Sequence, residues 1–192
     1  MKELRMRIHI KKKWTFLFLL LVISFKIHAQ EIAPRKIQSG VELDVLPYAT
    51  GGYFGAGWMG KDLWRLRILT AFVKKPDWST KKDFSNHQIE AYAIVVDRFL
   101  EKNWKGWWAG TGLVHWHSTI QTNAKIQTAS FNNLLVNGSL GYNFTLFKNC
   151  YISPWASLNI RLAGNTSVSV DDKIYTLPLI NPEASLKIGY NF

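Results

Sequence analysis

Residues 183–192 read Glu183-Ala184-Ser185-Leu186-Lys187-Ile188-Gly189-Tyr190-Asn191-Phe192, and every second one is apolar. An extended strand sends successive side chains to opposite faces. Ala184, Leu186, Ile188, Tyr190 and Phe192 therefore share one face, and Glu183, Ser185, Lys187, Gly189 and Asn191 the other. An amphipathic helix needs a 3.6-residue period, and no stretch of comparable length shows one.

The same alternation runs backwards through seven more segments: Gly40–Leu46, Tyr53–Met59, Leu63–Lys74, His87–Phe99, Gly106–Ser118, Phe131–Phe144 and Tyr151–Ala163. Short links at 60–62 and 147–149 alternate with longer polar ones at 75–86, 119–130 and 164–182. Strands of even spacing with links alternating in length predict an all-β, eight-stranded antiparallel up-and-down meander, long loops at one end and short turns at the other.

Period two does not say which face is inside. A lipocalin-like barrel holds its apolar face, and an apolar ligand, within; an outer-membrane barrel turns that face to lipid. The polar faces here carry Asn, Ser, Thr, Gly and Tyr rather than the Lys and Glu of a solvated surface. Their charges also balance, with Glu42, Asp44, Glu90 and Glu183 against Arg65, Arg67, Arg161 and Lys187. Ions in a narrow interior must be neutralised, so these eight residues are the expected ionic network of a lumen. Trp58, Trp64, Trp104, Trp107, Trp108, Tyr190 and Phe192 gather toward segment ends, where an interfacial girdle belongs. A transmembrane β-barrel over residues 30–192 is the expectation.

In architecture and in its final strand, the sequence resembles the small eight-stranded outer-membrane β-barrel proteins of Gram-negative bacteria, of the outer-membrane protein A and X type. The resemblance implies that Leu186, Ile188, Tyr190 and Phe192 form the terminal segment read by the barrel-insertion machinery. It also implies an outer-membrane protein bathed in lipid and lipopolysaccharide. The long first loop of that group has no obvious counterpart here.

Ahead of the strands, residues 1–29 carry seven basic residues around an apolar run from Trp14 to Phe25, followed by Ala29 and Gln30. The run is too short for the ~20 residues of a spanning helix, so it reads as a cleaved secretory signal peptide. The whole chain has 24 basic and 13 acidic residues, a formal net charge of +11. Without the leader, 17 basic residues face 12 acidic ones. The apparent nucleic-acid footprint is mostly an export address, and nucleic acid is not an expected partner.

Chemistry-bearing residues are few. His115 and His117, two apart, share a face, while Ser118 lies on the other. A metal would need a third ligand, with Glu90 or His87 in reach, so no metal and no cofactor are expected. A lipid deacylase would use a wall-mounted His with a Ser, and His117 beside Ser118 is the weak candidate. Neighbouring strand residues point apart, however, and lumen-lining residues are the plainer reading. Eight strands close a bore that side chains fill, so a diffusion pore is not expected either. A non-enzymatic structural or surface-interaction role is the leading expectation, with the deacylase and the lipocalin-like carrier as alternatives.

Overall fold

The computed structural model describes residues 37–192; the leader expected over residues 1–29 lies outside them. Ten strands follow in order: β1 (Gln38–Asp44), β2 (Tyr53–Lys61), β3 (Trp64–Lys74), β4 (Phe84–Phe99), β5 (Gly106–Thr122), β6 (Thr128–Thr145), β7 (Cys150–Gly164), β8 (Ser167–Val170), β9 (Lys173–Thr176) and β10 (Ile180–Asn191). Eight close into an antiparallel barrel in the order β1-β10-β7-β6-β5-β4-β3-β2. These are the eight segments of the sequence. The additional pair, β8–β9, is a hairpin inside the last long link.

Short connections at 62–63, 100–105 and 146–149 share the end of the barrel where Gln38 and Phe192 lie. The tightest reverses the chain between paired Lys61 and Trp64, with Asp62 at φ 58°, a conformation that Asp tolerates. Connections 45–52, 75–83 and 165–179 are longer and share the other end with the five-residue 123–127 link, which β5, running on to Thr122, and β6, starting at Thr128, shorten from the expected 119–130. The first holds a five-residue helix, α1 (Val45–Ala49), whose leading N–H on Leu46 is accepted by Asp44 at 3.2 Å.

The outer surface is a belt of exposed apolar side chains, among them Val41, Leu43, Ile68, Ile94, Leu113 and Leu158. A water-soluble barrel would not present such a continuous patch, whereas hydrocarbon solvates it. Trp64, Trp107, Tyr190 and Phe192 stand outward at its short-turn edge, and Tyr53 and Tyr92 at its loop edge. Three of the expected girdle residues are elsewhere: Trp58, Trp104 and Trp108 are buried in the lumen.

Face assignment by polarity holds on β1, β3, β6, β7 and β10 and is inverted on two adjacent strands. On β4, Ile89, Ala91, Ala93 and Val95 point inward, and Glu90, Tyr92, Ile94 and Val96 outward. On β5, Trp108, Val114 and Trp116 point inward, and His115 turns outward. Glu90 therefore leaves the expected lumen network, and His115 and His117 are not lumen-lining. The cause lies in the pairing. Arg65 is directly opposite Asp97, and Asp97 shares a face with Val95 and Ala93. Leaving two buried guanidinium groups unpaired would cost far more than turning alanines away from lipid. The opposite face of β4 is itself apolar, so lipid contact is maintained.

Pro154 interrupts the β6–β7 ladder without shifting its register. The register is the same on either side of it, Gly141 opposite Trp155 and Phe144 opposite Ile152, with the ladder interrupted between. The missing N–H of proline accounts for the gap. The bulge is at the far end, where β7 carries an extra residue between Leu134 and Leu135 of β6.

Candidate functional site

The lumen has two storeys. At the short-turn end, Arg65 and Arg67 on β3 meet Glu42 on β1 and Asp97 on β4. Arg65 Nε and Arg67 Nε donate to the same Asp97 oxygen at 2.8 and 2.6 Å, and Arg67 Nη2 takes its second oxygen at 2.8 Å. Glu42 accepts from Arg65 Nη1 at 2.8 Å, Arg67 Nη1 at 3.2 Å and the Tyr151 hydroxyl at 2.8 Å. All four charged side chains are essentially without solvent contact. Two cations and two anions with forked geometry satisfy the condition under which buried charge is tolerable.

Aromatic rings enclose this cluster. Arg67 Cζ lies 4.9 Å from the Trp108 ring, and Arg65 Cζ lies 5.0 Å from Phe99 and 5.4 Å from Trp58. Trp104 seals the stack from below, packed on Phe99 at 5.3 Å and Trp58 at 5.5 Å. Its backbone sits at φ 59°, an unusual value for so large a residue, and this turns the indole into the bore. The Trp104 indole N–H donates to Gln38, and its carbonyl accepts from Asn143 Nδ2 at 3.1 Å.

Glycines make room for the rings. A Cβ at Gly141 would lie 2.4 Å from Trp108, and one at Gly189 would lie 2.1 Å from Tyr151. Gly141→Val is therefore expected to cost about 1–3 kcal/mol through overpacking, measured by urea unfolding in detergent. The same change at outward-facing Gly138, where an added Cβ meets nothing, should leave stability within about 0.5 kcal/mol of the parent.

The other members of the expected network divide. Lys187 is buried beside the floor, its ammonium 4.2 Å from the Trp155 ring and 5.2 Å from Trp108. Asp44 accepts from Trp155 Nε1 at 2.7 Å and from Ser185. Glu183 accepts from Asn159 Nδ2 at 2.9 Å, and Arg161 Nη1 donates to the Leu177 carbonyl at 3.3 Å, both higher in the barrel. With Asp97 replacing Glu90, the inward-facing strand charges still number four of each sign. Asp97 was missed because its neighbours on that face are apolar. The readable signal was its spacing from Phe99 and its antiparallel match to Arg65.

Above the floor the bore opens into a chamber of about 620 Å³. One wall is apolar, formed by Phe54, Ala71, Ile89, Ala91, Ala93 and Val95, with Trp116 beside them. The opposite wall, on β6, β7 and β10, is polar. Asn137 Nδ2 donates to Asn159 at 2.8 Å, and Asn159 in turn donates to Glu183. The β8–β9 hairpin roofs part of the barrel, Tyr175 packing on Phe84 at 5.0 Å and on Phe131 at 6.0 Å. Lys81 Nζ ties it down through the Thr176 carbonyl at 2.6 Å. The rest of the mouth is bordered by α1, Lys74, Lys75 and the 178–182 segment. Burial draws the Lys75 pKa below that of a free lysine, and the nearby Glu183 carboxylate partly opposes the shift.

The histidine–serine candidate does not assemble. Ser118 is buried facing inward, while His117 is on the opposite side of the wall, its Nδ1 2.9 Å from Asn132 Oδ1. Glu90 is the cross-strand neighbour of His117 on that outer face. Among the described residues, no group of three or more His, Cys, Asp or Glu is placed to hold a metal ion.

No family model and no curated protein matches the sequence. Solved structures do match. The N-terminal β-barrel domain of OprF from Pseudomonas aeruginosa aligns over 81% of this chain and 95% of its own, with a TM-score of 0.52 and 13% identity. Neisserial surface protein A aligns over 81% and 94%, with a TM-score of 0.51 and 7% identity. At such identities the likeness is one of fold. The closed eight-stranded meander, the apolar outer belt and these alignments agree: the chain has the fold of the small eight-stranded outer-membrane β-barrels of Gram-negative bacteria.

Proposed function

We propose that this protein is an exported, non-enzymatic resident of the outer membrane, a non-conducting barrel with a structural or surface-interaction role. The observation that carries this reading is the floor. Paired ions enclosed by four aromatic rings fill the bore at its short-turn end, which suits a scaffold better than a pore. The short-turn end is read as periplasmic and the longer loops as external, the usual arrangement in such barrels. Leu186, Ile188 and Tyr190 stand outward on β10, and Phe192 is exposed just beyond its end, where insertion machinery would meet them. Exposed Lys82 on the external 75–83 loop is proposed to meet lipopolysaccharide phosphates, whereas Lys74, the last residue of β3, and half-buried Lys75 stand at the chamber mouth. Lys81 is engaged with the hairpin.

Two measurements test the proposal. The native protein is expected in the outer-membrane fraction, released by detergent and not by salt. Purified and inserted into planar bilayers, it is expected to leave the conductance at the bare-bilayer level. Recovery in soluble periplasm, or steady single-channel steps from the parent protein, would overturn it.

A further inference from the structure

A blind chamber with one apolar wall is more than a scaffold needs. Ala71, Ala91 and Ala93 are the reason it is hollow: larger aliphatic residues at these inward positions would fill it, as side chains fill the floor. At roughly 3.3 Å per residue, the apolar wall from Ile89 to Val95 is about 20 Å long.

The chamber also reaches the outside through the barrel wall. β1 pairs with β10 only from Gly40 opposite Asn191 to Asp44 opposite Lys187, while β10 continues to Ile180. Beyond Lys187 the seam is stitched by side chains, with Leu46 N–H donating to Ser185 Oγ at 3.3 Å and Ser185 donating to Asp44. Pro182 lies on this stretch of β10. Its alternation with Asn191, whose N–H donates to Asn149 on the β7 side, turns the position lacking an N–H toward the seam. Leu46 and Ala184, which flank the seam, both line the chamber. Ala184 is paired with Ala156, and outward-facing Leu158, Ile160 and Leu162 continue the apolar belt above it. The seam, held beyond Lys187 by the packing of α1 on β10 and not by a strand ladder, thus lies at the height of the hydrocarbon, and what meets it there is a lipid chain.

We propose that the chamber binds the hydrocarbon chain of an anionic single-chain amphiphile, entering through the β1–β10 seam. The chain lies along Ile89, Ala91, Ala93 and Val95, and the head group lies at the rim beside Lys74 and Lys75. A chamber closed at its floor fits binding rather than passage. A free fatty acid and a lysophospholipid share this chemistry, and separate arms of the test distinguish them.

The full protein is embedded in phosphatidylcholine nanodiscs, and radiolabelled dodecanoate, dodecanol or a dodecanoyl lysophosphatidic acid is titrated against empty discs. Saturable retention of one dodecanoate or one lysolipid per barrel is expected, and whichever is held more tightly identifies the source. Ala93→Phe should weaken retention about ten-fold or more, with Ala93→Leu as the milder filling variant. Ala109→Phe, on the lipid face, should leave it unchanged. Joint replacement of Lys74 and Lys75 by glutamine should weaken dodecanoate and spare dodecanol. A heat-modifiable gel shift confirms that each variant is folded. Retention no greater than in empty discs, or undiminished in folded Ala93→Phe and Ala93→Leu, would overturn the chamber as the site. Unchanged dodecanoate binding without the two lysines would overturn the head-group assignment.

Discussion

Asp97→Ala is expected to destabilise the folded barrel by about 3–5 kcal/mol, because it leaves two buried guanidinium groups sharing the single carboxylate of Glu42. Three of the hydrogen bonds holding Arg65 and Arg67 end on Asp97, and its side chain is fully buried. Equilibrium urea unfolding in detergent or liposomes gives the loss directly, and the temperature of the heat-modifiable gel shift should fall with it. Glu90→Ala is the informative control. Glu90 points outward beside His117, so its removal should change stability by no more than about 0.5 kcal/mol. Equal losses from both substitutions would return Glu90 to the lumen network and contradict the orientation of β4.

The second large effect is expected from Trp108→Ala, at about 3–5 kcal/mol. Trp108 has no exposed surface and underlies three cations, Arg65 at 5.7 Å, Arg67 at 4.9 Å and Lys187 at 5.2 Å. Its indole N–H donates to Ser153 at 3.1 Å. Truncation removes the packing, the ring faces and the partner of a buried hydroxyl together. Because Gly141 exists to admit this ring, Gly141→Val should cost less in a Trp108→Ala background than in the parent. The double-mutant cycle should show a coupling of about 1 kcal/mol or more. Additive losses would mean that the ring and the glycine do not share the space assigned to them.

Much of the barrel was legible in the chain because a strand has a fixed two-residue side-chain period, independent of what surrounds it. Segments such as Glu183–Phe192 and Phe131–Phe144 carry one polar and one apolar face, so both strand and orientation could be read. Arg65, Arg67, Glu42, Asp44 and Lys187 are buried, because lone charges alternating with Leu and Ile have no other low-energy position in a lipid-facing wall. Parity alone separates the two histidines from Ser118, but it does not say which face is the lumen, and the structure turns the histidines outward.

Orientation failed on β4 and β5, where both faces are largely apolar and hydrophobicity carries no sign. There Asp97 decided, and its partners Arg65 and Arg67 are some thirty residues away in sequence. The girdle reading failed in the same way. Trp64 and Trp107 face lipid while Trp58, Trp104 and Trp108 fill the bore, a distinction set by strand parity, a left-handed backbone at Trp104 and the flat beds provided by glycine.

The sequence by itself determined an all-β meander of eight strands and a set of strand charges that balance, because each depends on local periodicity or on a count. Only the tertiary structure decided that the interior is half sealed and half hollow. A sealed floor needs ions from β1, β3 and β4 to converge, and a chamber needs small residues from neighbouring strands to coincide at one height. Strand register fixes both, and register is a property of the closed sheet.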